Sequence, residues 1–228
     1  MIKIENYEVV GLDHTIRGMR NPMNSWDRSD SGYKCPYYNT KETVCSGCNE
    51  NMCIGPNDHD LMMRLSNAGT DHRKFMRMIT VYLDITAPLY WWKEFDTYKV
   101  GTVANSCSTM HKIHAKEFTL EDFSCEHLTE PAISILKNTI EALNQARYLY
   151  LGYDGFKHQW GDWEKKHYWW QMIQLLPSSY NQKRTVMLNY EVLKNIYHAR
   201  KNHKLDEWHH FCDWIESLPY SELITGGN

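Results

Sequence analysis

Eight residues constrain this chain more than any others. Ile79, Val81, Leu83 and Ile85 alternate with Thr80, Tyr82, Asp84 and Thr86, the period-two pattern of a strand with one buried face. Ala87-Pro88 ends the strand, because Pro88 removes a backbone donor and biases its neighbour away from helix. An aromatic segment, LYWWKEFDTYK, reads as a short helix and leads into VGTVANSCST. There small residues and hydroxyls crowd together, an arrangement that offers backbone N–H and hydroxyl groups to a phosphate or a ring. A functional site is expected in this stretch.

The remaining pattern is α+β with much helix. KIENYEVVGL reads as an N-terminal strand, followed by a loop, TIRGMRNPMNSWDRSDS. Leu61, Met62 and Leu65 mark a helix from about Asp58 to Gly69, with the glycine as its stop. Ile133, Leu136, Ile140 and Leu143 mark another over about Glu130–Tyr150. After Pro177, SSYNQKRTVML reads as loop and strand, and a final pair of helices runs from near Asn189 to near Leu218. At 228 residues the expectation is one domain over 1–228, with a cysteine-rich loop inserted at about 30–57.

A net charge of −3 gives no reason to expect nucleic acid as a partner. No run of 18 apolar residues exists and the first ten residues lack a signal-peptide core, so the expectation is a cytoplasmic protein without membrane contact. Nine Trp and 15 Tyr point to large buried contacts, flat ligands or subunit interfaces. The run Tyr90-Trp91-Trp92 is expected to lie exposed and to need a partner surface.

Seven cysteines, an odd number, argue against a closed disulfide framework. Four of them, Cys35, Cys45, Cys48 and Cys53, share one Gly-, Asn- and Pro-rich loop with spacing C-x9-C-x2-C-x4-C. Four thiolates can hold a tetrahedral zinc, and an iron–sulfur cluster has the same ligand count. A surface loop with free thiols in a reducing cytoplasm is the other reading.

Near the C-terminus Asn189, Leu193, Ile196 and Arg200 fall at i, i+4, i+7 and i+11, on one helical face. In the plain account Asn189 caps the helix, while Arg200 pairs with Glu207 or favours the helix C-terminus. In the functional account Arg200 faces an acidic or carbonyl-bearing ligand, with Asn189 and Asn195 bonding a flat polar partner. Both remain open on these residues alone.

Taken together, these blocks resemble the flavin-dependent thymidylate synthases. That family has a histidine fifteen residues before a strand-closing Ala-Pro, and His72 precedes Ala87 by that interval. Its signature then runs Gln, Arg-His-Arg, Ser and Asn-Glu-x-Ser-x-Arg; here stand Glu94, Thr97-Tyr98-Lys99, Thr102 and Asn105-Ser106-Cys107-Ser108. Downstream, Leu176-Pro177 is followed at the family spacing by Asn189, Leu193, Asn195 and Arg200. The matching blocks cover roughly residues 60–115 and 170–210.

The resemblance implies an α+β, ThyX-like fold with a central antiparallel or mixed sheet and a homotetrameric assembly that binds FAD at subunit interfaces. It implies transfer of a one-carbon unit from methylenetetrahydrofolate to C5 of dUMP, with NADPH as reductant. His72, Lys99, Thr102, Asn189 and Asn195 would contact the flavin cofactor. Glu94, Asn105, Ser108 and Arg200 would bind the nucleotide, and Arg200 would also be the catalytic residue that polarises the pyrimidine. An arginine suits that role because its rigid fork can donate two hydrogen bonds to a developing anionic ring.

The departures are specific. Arg-His-Arg has become Thr97-Tyr98-Lys99, and the arginine that ends the signature is Thr109 or Met110. Each lost guanidinium removes a charge-assisted phosphate contact of about 1.5–3 kcal/mol. Arg17, Arg20 and Lys112 are the cations at hand to compensate. Two functional classes follow: a divergent one-carbon transferase acting on a pyrimidine deoxynucleotide, or a non-catalytic nucleotide-binding protein on the same fold.

Overall fold

The computed structural model describes residues 2–32, 52–152 and 161–226. The alternation that opened the sequence reading forms strand β2, Thr80–Pro88, with Val81, Leu83, Ile85 and Ala87 buried and Tyr82 exposed. It joins β1 (Lys3–Val10), β3 (Val103–Ser106) and β4 (Asn181–Asn189) in a four-stranded antiparallel sheet of order β1-β2-β4-β3. Among the described residues no helix is long and apolar enough to cross a membrane. The chain divides into two compact units: Met1–Glu5, Asp84–Thr97 and Ala104–Thr185 form the first, and Asn6–Leu83, Tyr98–Val103 and Val186–Asn228 the second.

The first unit contains α3 (Leu89–Phe95), α4 (Thr109–Lys112), α5 (Glu130–Leu151) and α6 (Asp162–Leu175). Helix α5 carries Pro131 in its first turn, where the missing N–H costs nothing, and stops at Gly152 in the left-handed region. It packs on α6. Leu136, Ile140 and Leu143 recur at helical spacing on its buried face and meet Met172, Phe118 and Phe123. Trp91 and Trp92 are both buried, against the expectation of an exposed aromatic run. Their indoles meet edge to face at 4.9 Å, Phe95 stacks on Trp91 at 5.0 Å, and Trp92 Nε1 donates to the Gln182 carbonyl at 2.9 Å. Two adjacent tryptophans on a seven-residue helix are thus absorbed inside the chain.

The second unit is built around α7 (Tyr190–Arg200), which packs against a 3-10 turn at Arg73–Met78 and against α8 (Asp206–Glu216) and α9 (Glu222–Thr225). Leu193, Ile196, Trp208, Phe211, Ile215 and Leu223 are buried there. Lys194 is only 5% exposed. Its ammonium donates to Ser66 Oγ at 2.7 Å and to the Leu223 carbonyl at 3.1 Å, and Ser66 Oγ donates to the same carbonyl. These bonds tie α2 (Pro56–Asn67), α7 and α9 at one point. Burial, and then the charge of Arg73, push the Lys194 pKa down.

The stretch after β1, read above as loop, contains helix α1, Leu12–Arg20. Its apolar spacing is sound: Ile16 and Met19 are buried together with Thr15 and Arg20. Gly11 sets the start at φ 93°, where a Cβ would stand 2.3 Å from the Met78 carbonyl oxygen. Arg20 ends the helix in a buried pair with Asp58, Nε to Oδ1 2.5 Å. Asp58 also accepts from the hydroxyls of Ser29 and Ser31 and from the backbone of Asp30 and Ser31. Helix α2 begins at Pro56 rather than at Asp58, as a proline in the first turn favours.

Candidate functional site

Asn189 is the last residue of β4 and the cap of α7, its Oδ1 accepting from the Val192 N–H at 3.1 Å. Eleven residues make close to three helical turns, so Arg200 leaves α7 on the same face. Arg200 Nε donates to the Tyr98 hydroxyl at 2.9 Å. Its guanidinium carbon lies 4.8 Å from the centre of the Trp208 ring and 5.6 Å from that of Tyr98, and the two rings meet edge to face at 6.2 Å. Stacking uses the flat faces of a guanidinium, so the hydrogen bonds it makes lie along its in-plane N–H edge. Arg200 is partly exposed. The capping part of the plain account holds, since Asn189 does cap the helix, and Arg200 is held between Tyr98 and Trp208.

Four further residues of the expected cofactor set belong to this unit. Lys99–Thr102 forms a tight turn in which the Thr102 N–H donates to the Lys99 carbonyl at 3.4 Å. Gly101 adopts φ +79° there, and a Cβ would stand 3.0 Å from Asn189 Nδ2, so the turn closes directly on the capping side chain. Thr102 Oγ1 is buried without a hydrogen-bond partner among the described residues, and Lys99 is exposed. His72 and Asn195 are exposed as well, and Arg73 orients Asn195 by donating to its Oδ1 at 3.3 Å. Arg77 and Arg73, both on the 3-10 turn, flank Glu191 of α7. An ammonium, a buried hydroxyl lacking an acceptor, and accessible carboxamide and imidazole groups are a donor set that fits FAD, whose phosphates accept and whose ring edge pairs with amides.

The expected substrate residues Glu94, Asn105 and Ser108 lie in the first unit. Glu94 sits on α3, where its carbonyl accepts from Thr97 Oγ1 at 2.8 Å. Asn105 is exposed on β3. Ser108 caps α4 by accepting from the His111 N–H at 3.0 Å, and it lines a pocket of ≈ 520 Å³. Of the cysteine set, Cys53 pairs its backbone with Gly32; Cys35, Cys45 and Cys48 lie outside the described residues. No group of three or more potential metal-ligating side chains occurs among the described residues.

Sequence reasoning counted Tyr98 only as a lost histidine, whereas the structure makes it the partner of Arg200. It missed Trp208 altogether, because no local pattern links that residue to Arg200 across the intervening turn. Arg20, offered above as a compensating cation, is committed to Asp58.

No protein-family model matches the sequence, and no curated protein does. The fold is that of the flavin-dependent thymidylate synthases. Two crystal structures of ThyX from Helicobacter pylori, each with FAD and dUMP, match with TM-scores of 0.60 and 0.59. Both are 16% identical, and the match covers 97% of this chain and 95% and 94% of theirs. At that identity the likeness is one of fold.

Proposed function

We propose that this chain is a flavin-dependent transferase of thymidylate-synthase type, moving a one-carbon unit to C5 of a deoxyuridylate-like nucleotide. Methylenetetrahydrofolate would be the donor and NADPH the reductant. The observation that carries the reading is the Arg200 clamp, a guanidinium fixed between Tyr98 and Trp208 at the position that matches the family's pyrimidine-binding arginine. Arg200 binds the polar edge of the pyrimidine and stabilises negative charge as it grows on the ring, which is where a fixed dipole or charge does most for a transition state. Tyr98 and Trp208 keep the guanidinium from reorganising during the reaction. His72, Lys99, Thr102, Asn189 and Asn195 would hold FAD, which would pass on reducing equivalents from NADPH when bound. A cofactor site shared between subunits requires an oligomer, which this reading takes to be a homotetramer.

The second reading, nucleotide binding without turnover, is favoured by the replacement of Arg-His-Arg with Thr97-Tyr98-Lys99. One experiment separates the two. Purified protein, reconstituted with FAD, should show flavin absorbance at roughly 450 nm and form thymidylate from dUMP, methylenetetrahydrofolate and NADPH. Protein that binds dUMP yet neither retains flavin nor turns over is the non-catalytic form. A monomeric mass by light scattering at micromolar concentration removes the shared cofactor site.

A further inference from the structure

One guanidinium decides which end of Asn195 a ligand can meet. Glu191 and Asn195 stand four residues apart on one face of α7. The 3-10 turn packed against that helix carries Arg73 and Arg77 to them. Arg77 takes the stronger hold on Glu191: its Nε donates to Oε2, and its Nη2 to Oε1 at 3.3 Å. Arg73 Nε is buried without a hydrogen-bond acceptor among the described residues, and Glu191 Oε1 meets it by charge at 3.7 Å. Nη2 of Arg73 donates to Asn195 Oδ1 at 3.3 Å.

A guanidinium has donors and no acceptor, so the carboxamide oxygen of Asn195 must face Arg73. The amide nitrogen, Nδ2, is then turned away, and it has no partner among the described residues. Asn195 is exposed, whereas only 19% of the Arg73 side chain is accessible behind it. A surface asparagine free to rotate offers a ligand either its oxygen or its amide; this one offers the amide alone. The setting is positive as well. Burial first, then the charge of Arg73, lowers the Lys194 pKa. Arg73 adds in the same sense at His198, after burial, Lys194 and Lys201. Two guanidinium groups share the one Glu191 carboxylate, and exposed Asp71 bears on Arg77.

We infer that Arg73 is a positioning residue acting through Asn195, and that the group Asn195 meets is an electron-rich acceptor of a flavin: a ring carbonyl, a ring nitrogen or a phosphate oxygen. The inference rests on the flavin reading for its ligand. The three acceptors share one chemistry, a lone pair aimed at an N–H. Each gains from the cation behind the amide, because a carboxamide whose oxygen is bound to a guanidinium is polarised and donates more strongly. A ligand hydroxyl or N–H acting as donor finds no acceptor on Asn195, since the one oxygen is turned to Arg73.

Flavin binding tests this without turnover. FAD, FMN and riboflavin would each be titrated into the full-length chain and followed by quenching of flavin fluorescence, with melting temperatures in parallel. The variants are Asn195→Asp, Asn195→Ala, Arg73→Ala, Arg73→Lys and the double variant Arg73→Ala/Asn195→Ala. Exposed Lys74→Ala, on the same turn, is the control and should bind as wild type does. Asn195→Asp keeps an oxygen for Arg73 but turns a second oxygen to the ligand. We expect it to melt no lower than wild type and to bind FAD about tenfold more weakly or worse. Arg73→Ala should weaken FAD by about three- to tenfold, and by nothing further once Asn195 is alanine. Arg73→Lys should recover most of that loss. A loss shared by all three flavins puts the acceptor on the ring, one spared only in riboflavin puts it on the first phosphate, and one confined to FAD puts it on the adenylate half; each supports the assignment. Intact FAD affinity in Asn195→Asp overturns the acceptor. An undiminished effect of Arg73→Ala in the Asn195→Ala background overturns positioning through Asn195. Both of those results leave the flavin reading standing, whereas a wild-type chain that binds none of the three flavins overturns both readings.

Discussion

Arg200 Nε and the Tyr98 hydroxyl stand 2.9 Å apart, which joins the last residue of α7 to the centre of the Thr97-Tyr98-Lys99 segment. The tyrosine that replaces a basic signature residue has therefore become the second anchor of the proposed catalytic arginine. Arg200→Lys should weaken dUMP almost as much as Arg200→Ala, by about 1.5–3 kcal/mol for each charge-assisted hydrogen bond lost. Tyr98→Phe keeps the ring and removes the hydroxyl, so it should leave stability within about 1 kcal/mol while lowering nucleotide affinity. Calorimetric titration beside melting curves measures both. Unchanged affinity in Arg200→Lys would sink the proposed role.

Asn189 has two separable duties. Asn189→Ala removes the cap of α7 and should cost about 0.5–2 kcal/mol in urea denaturation. Asn189→Asp retains the capping oxygen but loses the Nδ2 group that lies against Gly101. It should restore most of the stability while leaving flavin affinity impaired. Full recovery of flavin binding in the aspartate variant would confine Asn189 to capping.

The buried Arg20–Asp58 pair makes stability depend on pH in a defined direction. Burial alone would raise the Asp58 pKa; the hydrogen bonds from Ser31, Ser29 and Arg20, with the Arg20 charge, outweigh it and hold the carboxyl below its ordinary range. A depressed folded-state pKa means that this contribution is complete above the unfolded value of about 4 and is lost as pH falls through the folded one. Asp58→Ala leaves a buried guanidinium unpaired and should cost about 3–5 kcal/mol at neutral pH. Denaturation curves from pH 7 down to about 3 should be flatter in the variant than in wild type. Parallel curves would show that Asp58 does not titrate with folding.

Gly11 is confined by its backbone. At φ 93°, with a Cβ placed 2.3 Å from the Met78 carbonyl oxygen, alanine meets both strain and a clash. Gly11→Ala should destabilise by more than about 1 kcal/mol. Gly32, where a Cβ meets nothing within 4 Å among the described residues, is the matched control. Equal melting temperatures for the two alanine variants would contradict this account.

The parts of the fold legible in the sequence were those governed by local periodicity. The alternation of Ile79 to Thr86 gave β2 with its correct buried face, and the i, i+4, i+7 spacing from Asn189 gave α7 with its cap. Helix α1 escaped although Ile16 and Met19 carried its signal, because Gly18 and the flanking polar residues made the stretch look like loop. The burial of Trp91 and Trp92 had no local signal, since Gln182, the acceptor for Trp92, lies 90 residues away in the chain. The same applies to the site. Arg200 was legible from helical spacing, whereas its clamp depends on Tyr98 and Trp208, which only the folded chain brings to it.

Lys194 has a practical consequence of a different kind. An ammonium shut between Ser66 and the Leu223 carbonyl cannot meet an amine-acylating reagent unless the junction of α2, α7 and α9 opens. The rate at which this one lysine is acylated, set against exposed Lys74 or Lys137, therefore reports the opening frequency of that junction in the native chain. The protein thus carries its own clock for local unfolding on the helix that bears Arg200, readable by mass spectrometry without any substitution.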